Sequence, residues 1–463
     1  MDRKKRIRTY SGTKDSRPTE REWKNRQIAR RAAAEGIVLL KNEGALPLKK
    51  GEKAALFGGG AVSTVKGGTG SGDVNEREVV SIYQGFLDAG IALTDQEWLE
   101  EYGRIYRQAR EDWKNAILAE AGRRGNNRFF EVYSTNVFHM PSGSPIKKEC
   151  LEEADAAFYV ISRTAGEDAD RFLQQGDYYL TEEEKAELSY LDACCERVIV
   201  ILNTGGPIDL QEILKLSHLK GLLSIVQPGM EGGHALADIV TGRVTPSGKL
   251  SSTWAAAYSD IPGSGDYSHN NGNVEKEYYM EGIYIGYRYF DSFGKKAAYP
   301  FGFGLSYTDF SIETNAILPE ETWEISVTVT VRNTGNVWAG REVVQIYASC
   351  PQAGLEKEYR RLCGFAKTKL LAPGEKEELS IRIQAKNLAS FSETKAAWIV
   401  EKGQYGVWVG NSSNNLEIVG VLEVDADTVI ESVKHILPLQ EKLHELECPE
   451  AVRLEREKAW KAD

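Results

Sequence analysis

Thr164-Ala165-Gly166-Glu167-Asp168-Ala169-Asp170-Arg171 packs three carboxylates and one guanidinium into five consecutive residues. Those residue types suit proton transfer. A glutamate whose pKa its neighbours tune can act as a general acid near neutral pH. The same residues also make an ordinary solvated acidic turn, because charged clusters mostly face water. The loop directly follows an apolar run, Ala156 to Ile161. A strand ending in an acidic, glycine-containing loop delivers that loop to the rim of an α/β sheet, where ligands of open α/β folds bind.

A second stretch is rich in glycine: Gly58-Gly59-Gly60, then Gly67-Gly68-Thr69-Gly70-Ser71-Gly72. Strand, glycine loop and helix together suggest a dinucleotide-binding turn, but the spacing rejects it. Gly68-x-Gly70 has no third glycine at the required offset. The loop also separates the strand from its helix, whereas a pyrophosphate needs the helix N-terminus at once. Glycine lets backbone approach a ligand closely, so this loop suits a polyhydroxylated ligand.

Thiol and imidazole chemistry find little support. The six cysteines (150, 194, 195, 350, 363, 448) form no C-x-x-C pair, and the six histidines show no metal-binding spacing. We expect no metal and no cofactor. Sparse cysteines point to the reducing cytoplasm. The net charge of −11 argues against a nucleic-acid or anionic-membrane partner. The basic run Arg3-Lys4-Lys5-Arg6 with Arg8 reads as a solvated terminal extension over 1–25. No apolar segment follows it as in a signal peptide, and no run approaches the roughly 20 residues of a membrane helix.

The elements that must position these loops follow from periodicity. Residues 19–35 read as a helix closed by Gly36, with strands at 37–40 and 54–57 and a helix over 79–89. Trp98, Tyr102, Ile105, Ala109, Trp113 and Ile117 carry helical spacing over 96–123, and Phe129 to Ile146 reads as irregular and aromatic. Thr181-Glu182-Glu183-Glu184 has the form of a capping box for a helix to Ala193. Strands at 198–202 and 222–226 and a helix over 232–240 complete an α/β domain at 26–255, with a mainly parallel sheet covered on both faces.

Residues 256–310 form an aromatic, glycine-rich connector with Tyr278, Tyr279, Tyr284, Tyr287, Tyr289 and Phe290. Such aromatics line a sugar site or wedge two domains apart, and the wedge is the favoured reading. From Thr322 the period becomes two, through Ile325, Val327, Val329 and Val331 to Tyr405, Val407 and Val409, with turns at Asn333-Thr334-Gly335-Asn336 and Pro373-Gly374. This predicts an all-β immunoglobulin or fibronectin-III-like sandwich over 311–425. The tail, 426–463, reads as a charged linker, helical around Val429, Val433 and Ile436, that buries nothing alone.

Several stretches together resemble glycoside hydrolase family 3, the family of many β-glucosidases. Ala33 to Glu43 (AAEGIVLLKNE), Gly70-Ser71-Gly72-Asp73-Val74-Asn75 and Gly166-Glu167-Asp168-Ala169-Asp170-Arg171 resemble its C-terminal α/β domain. Pro300 to Thr308 (PFGFGLSYT) is similar to the segment joining that domain to its fibronectin-III-like domain, which Asn333-Thr334-Gly335 and Glu342 to Tyr347 resemble in turn. The resemblance implies retaining hydrolysis of a β-linked glycoside or oligosaccharide by two carboxylates about 5–5.5 Å apart. It implies Glu167 as the acid/base, with Asp170 and Arg171 bracing the loop and Ser71 a weak substrate contact. Asp168 and Asp170 would push Glu167 upward and Arg171 would oppose them. Asp168 departs from the family, which commonly has glycine there.

The family's nucleophile is an aspartate in a (β/α)₈ barrel, commonly followed by tryptophan. Asp112-Trp113 is the only such pair and sits mid-helix, so it is set aside. A barrel needs about 250 residues, and the two domains use most of the chain. Some members are permuted, with the barrel last, and this chain follows that order and stops where the barrel would begin. Two expectations follow: an acid/base half, either cut short or one partner of a split enzyme whose nucleophile barrel is supplied in trans, or a non-catalytic carbohydrate-binding or assembly module.

Overall fold

The computed structural model describes residues 17–125, 128–136, 138–167, 170–268, 270–273, 275–319, 324–437, 439–441 and 443–462, with only the backbone of Ser71, Ser134, Pro319 and Ala462. The basic run at 3–8, Asp168 and Pro438 lie outside the described residues.

α1 (Glu20–Gly36) opens on a capping box in which the Glu22 amide donates to the Thr19 hydroxyl at 3.2 Å and the Thr19 amide to the Glu22 carboxylate at 2.7 Å. β1 (Val38–Asn42), β2 (Lys53–Phe57), the short α2 (Gly59–Val62), α3 (Ile82–Asp88) and β3 (Ala92–Leu93) follow. The long α4 (Gln96–Arg124) runs alongside β2, with Trp98 edge-on to Phe57 at 5.2 Å between ring centroids. Asp112 lies within α4 and accepts from the Gln108 side chain at 2.9 Å. The stretch expected to be irregular begins with a helix, α5 (Phe129–Thr135), because Val132 and Phe129 bury themselves against Ile117 and Trp113 of α4.

α6 (Lys148–Glu152) leads into β4 (Ala156–Arg163), α7 (Glu182–Cys194), β5 (Val198–Thr204), α8 (Gln211–Leu214), β6 (Leu219–Ser224) and α9 (Gly232–Val240). The sheet order is β1-β6-β5-β4-β2-β3, parallel except for the edge strand β1, which pairs antiparallel with β6. Every residue of β4 and β5 is buried, so both faces of the sheet centre are covered. The capping box at Thr181 and Glu184 is formed.

The connector holds α10 (Tyr287–Phe293) and β8 (Ala297–Tyr299), which pairs with β7 (Trp254–Ala255) at the end of the α/β domain. Its aromatics pack between the two domains. The Tyr287 hydroxyl accepts from the Leu362 amide at 2.9 Å, Tyr284 donates to Glu356 at 2.6 Å, and Tyr307 donates to the Ile239 carbonyl at 3.0 Å. Tyr278 and Tyr279 remain exposed.

The β-sandwich contains β9 (Phe310–Pro319), β10 (Glu324–Asn333), β11 (Val343–Ser349), β12 (Arg361–Lys367), β13 (Lys376–Gln384), the short α11 (Ala385–Leu388), β14 (Ser390–Ser392), β15 (Ala397–Val400), β16 (Gly403–Ser412) and β17 (Asn415–Val424). Sheets β13-β10-β9 and β12-β11-β16-β17 face each other across Val327, Val329, Val331, Val344, Ile346 and Val407. The period-two pattern therefore marks the inward face. Asn333 is fully buried and ties the sandwich to the connector: the Thr308 hydroxyl donates to it at 2.7 Å, and its amide donates to Trp338 and Leu371 carbonyls at 2.8 and 3.0 Å.

The tail differs from expectation. Thr428–Ser432 is a strand, β18, paired with β15 rather than a helix. Val429, Val433 and Ile436 have helical spacing, but β15 offers an open edge and the β-branched run at 428–430 takes it. The helix comes later, as α12 (Glu450–Ala462). It does bury surface: Trp460 is 2% exposed and packs with Tyr347 and Trp408 of the sandwich. No helix among the described residues is long and apolar enough to cross a membrane.

Candidate active site

Loops following β2, β4, β5 and β6 meet at the C-terminal rim of the sheet. Their meeting point is held from below by Asn203, the penultimate residue of β5, which is fully buried. Its Oδ1 accepts from the Val65 amide at 2.7 Å and from the Ser162 hydroxyl at 3.1 Å. Its Nδ2 donates to the Val65 and Val226 carbonyls at 2.9 and 2.7 Å. One side chain thus joins the glycine-rich loop, the end of β4 and the loop after β6.

Glu167 is exposed on the loop after β4. The glycine-rich loop folds onto this loop at close range. A Cβ on Gly166 would meet Thr69, a Cβ on Gly68 would meet the Ala165 carbonyl, and a Cβ on Gly70 would stand 2.7 Å from Glu167 Cδ. Gly70 also has φ +76, a conformation that side-chain-bearing residues rarely adopt. The Thr69 hydroxyl donates to the Glu167 carbonyl at 3.4 Å, and Gln227, from the loop after β6, donates to the Ala165 carbonyl at 3.1 Å. Ser71 lies in the same glycine loop, in a short 3₁₀ turn at Gly70–Gly72. Lys66 holds the loop's far end through Asp73, Glu76 and the Val74 carbonyl. Burial opposes its charge, but the hydrogen bonds to Glu76 and Asp73 outweigh that and raise the ammonium above the usual lysine range.

Arg171 places its guanidinium on Asp177 Oδ1 at 2.6 Å and on the Pro207 and Asp177 carbonyls at 3.0 and 2.8 Å. Asp170 accepts from the Ser268 hydroxyl at 2.6 Å and from Tyr267 at 3.2 Å, both in the connector. The acidic loop is therefore tied to the loop after β5 on one side and to the connector on the other. The carboxylate of Asp112, within α4, is not part of this rim.

Two supporting residues escape a reading by motif. Asn203 is one and Arg163, the last residue of β4, is the other. Arg163 is buried and grips Glu184 through two nitrogens at 2.8 and 2.6 Å, while also donating to the Asp177 carbonyl at 2.9 Å. The signal for both is a polar residue closing an otherwise apolar strand. Surface concavities of about 410 and 480 Å³ lie elsewhere, at Asn333 to Asn336 on the sandwich and between α1 and Lys367 of β12. Neither is lined by a residue of the rim loops.

Comparison with known proteins places the fold. The model for the glycosyl hydrolase family 3 C-terminal domain matches residues 37–307, and that for a fibronectin type III-like domain matches 342–413. Beta-glucosidase A of Butyrivibrio fibrisolvens is 33% identical over 89% of this chain and 53% of its own length. A beta-glucosidase of Ruminococcus albus is 34% identical over 87% of this chain and 41% of its own. Among solved structures, a beta-glucosidase from Paenibacillus barengoltzii superposes with a TM-score of 0.78 at 34% identity, covering 90% of this chain and 45% of that one. The chain spans about half the length of the curated relatives it matches. With an α/β domain matched over 37–307 and a fibronectin-III-like domain behind it, the chain belongs to glycosyl hydrolase family 3.

Proposed function

We propose that this chain supplies the acid/base wall of a retaining β-glucosidase-like hydrolase, with Glu167 as the proton donor. The supporting observation is the packing of the glycine-rich loop against Glu167, which fixes the carboxyl-bearing loop on the sheet rim. In the first step, Glu167 protonates the glycosidic oxygen while a carboxylate on the opposite wall attacks the anomeric carbon. The C–O bond to the leaving group breaks and a glycosyl ester forms. In the second step, the Glu167 carboxylate takes a proton from water, whose oxygen displaces the ester. Asp170 and Arg171 brace the loop, a role supported by their bonds to Ser268, Tyr267, Asp177 and Pro207. The nucleophile belongs to a (β/α)₈ domain, joined to this chain or supplied in trans. The six unpaired cysteines fit a cytoplasmic setting.

The test is hydrolysis of an aryl β-glucoside with the barrel domain present. Glu167→Gln should lower kcat/KM on a substrate with a poor leaving group by about 10²–10⁴-fold. Unimpaired turnover by Glu167→Gln would remove the assignment. A second reading is a carbohydrate-binding or assembly module without chemistry. It predicts sugar binding without turnover even when the barrel is added.

A further inference from the structure

An acid that protonates the leaving oxygen stands beside the leaving group. The wall carrying Glu167 must therefore also face the departing sugar, an inference that rests on the reading of Glu167 above. Asp170 lies three residues further along the same loop, and both its carboxylate oxygens are engaged by one connector turn. The Tyr267 hydroxyl donates to Oδ1 at 3.2 Å and the Ser268 hydroxyl to Oδ2 at 2.6 Å. The Ser268 amide donates to Glu277 Oε1 at 3.0 Å. Ser268 has φ +53, a left-handed backbone that a non-glycine residue adopts at a cost. The hydrogen bonds hold it there.

The result is a tyrosine anchored by its hydroxyl and still partly open to solvent. Tyr267 is 44% exposed, and Phe172, two residues past Asp170, is 40% exposed. An aromatic ring fixed at its polar end presents a flat apolar face at low entropic cost. The apolar face of a pyranose or an aryl group fits such a surface. We infer that Tyr267 forms a wall of the leaving-group subsite and selects glycosides whose leaving group carries a ring.

The experiment uses the chain assembled with its barrel and compares two substrates: a β-linked glucose disaccharide, and β-glucosyl fluoride, whose leaving group is a single atom. Tyr267→Ala should lower the ratio of kcat/KM for the disaccharide over that for the fluoride by about 10-fold. Tyr267→Phe, which keeps the ring, should lower it far less. Tyr267→Leu replaces the alanine variant if that fails to fold, and should match it. A ratio that moves less than about 2-fold in Tyr267→Ala or Tyr267→Leu overturns the inference. Glu167→Gln, run in parallel, separates the two claims. If it spares the disaccharide, the acid assignment fails. If it abolishes turnover while the Tyr267 ratio stays put, only the subsite fails. An assembly inactive from the outset overturns the subsite together with the reading beneath it.

Discussion

Asn203 and Val65 exchange two hydrogen bonds, amide to side-chain oxygen at 2.7 Å and side-chain amide to carbonyl at 2.9 Å, although 138 residues separate them. A side chain here imitates one rung of a β-ladder and fastens the glycine-rich loop to the sheet. Asn203→Ala should destabilise the chain by about 3 kcal/mol, because it leaves buried backbone groups of Val65 without partners. Urea denaturation measures this. A loss below ~1 kcal/mol would mean that water replaces the amide without penalty.

Gly70 tests the site rather than the fold. Gly70→Ala places a methyl against the Glu167 carboxyl at a backbone angle of +76. The expected outcome is a folded chain with Glu167 displaced and turnover in the assembled enzyme reduced by about 10²-fold, the loss typical of a catalytic group shifted by an ångström. Circular dichroism and kcat/KM on an aryl β-glucoside together decide it.

Asp95 predicts a pH dependence of stability. It is 1% exposed, and no group among the described residues makes a well-formed hydrogen bond to either carboxylate oxygen, the nearby Leu56 and Asp95 amides included. Burial pushes its pKa from 3.8 to about 7, and the Leu56 and Asp95 amides offset this only in part. The folded chain thus favours the protonated form. The group's contribution is unpenalised below pH 3.8, becomes steadily less favourable as pH rises towards 7, and reaches its full penalty above that. Asp95→Asn should stabilise the chain by up to about 4 kcal/mol at pH 8 and by little at pH 4. Parallel denaturation series for both proteins across that range check it, and a constant difference would refute the charge argument.

Trp460 reports on the tail. It is 2% exposed against Tyr347 and Trp408, and Gly406 leaves room for it, since a Cβ there would lie 3.0 Å from the indole. Trp460→Ala should cost about 4 kcal/mol. Thermal unfolding monitored by the remaining tryptophans would show it as a lowered midpoint for the sandwich.

The sequence reveals some of this site and hides the rest for physical reasons. Glu167 is visible as a candidate because titratable residues crowd its loop, and the apolar run before it marks the strand. The β-sandwich is visible because alternation is a local property, and Val327, Val329 and Val331 lie in its core. The contact of Thr69 with Gly166 is not visible, since it depends on how two distant loops fold over the rim. Asn203 and Arg163 carry no motif. Their importance comes from where buried strands end. The tail misled because Val429, Val433 and Ile436 fit a helix as well as a strand, and only the open edge of β15 decides between them.

One feature of the connector bears on how the protein can be divided. Leu305 bridges Leu39, its amide donating to the Leu39 carbonyl at 2.8 Å on the side of β1 away from β6. That rung meets the outer edge of a strand whose Val38, Leu39 and Leu40 are all buried. An α/β domain cut free before residue 300 would lose it and present a bare strand edge to its neighbours, the usual starting point for self-association. The joining segment is therefore also a guard against aggregation, and the two domains should be soluble together and poorly soluble apart.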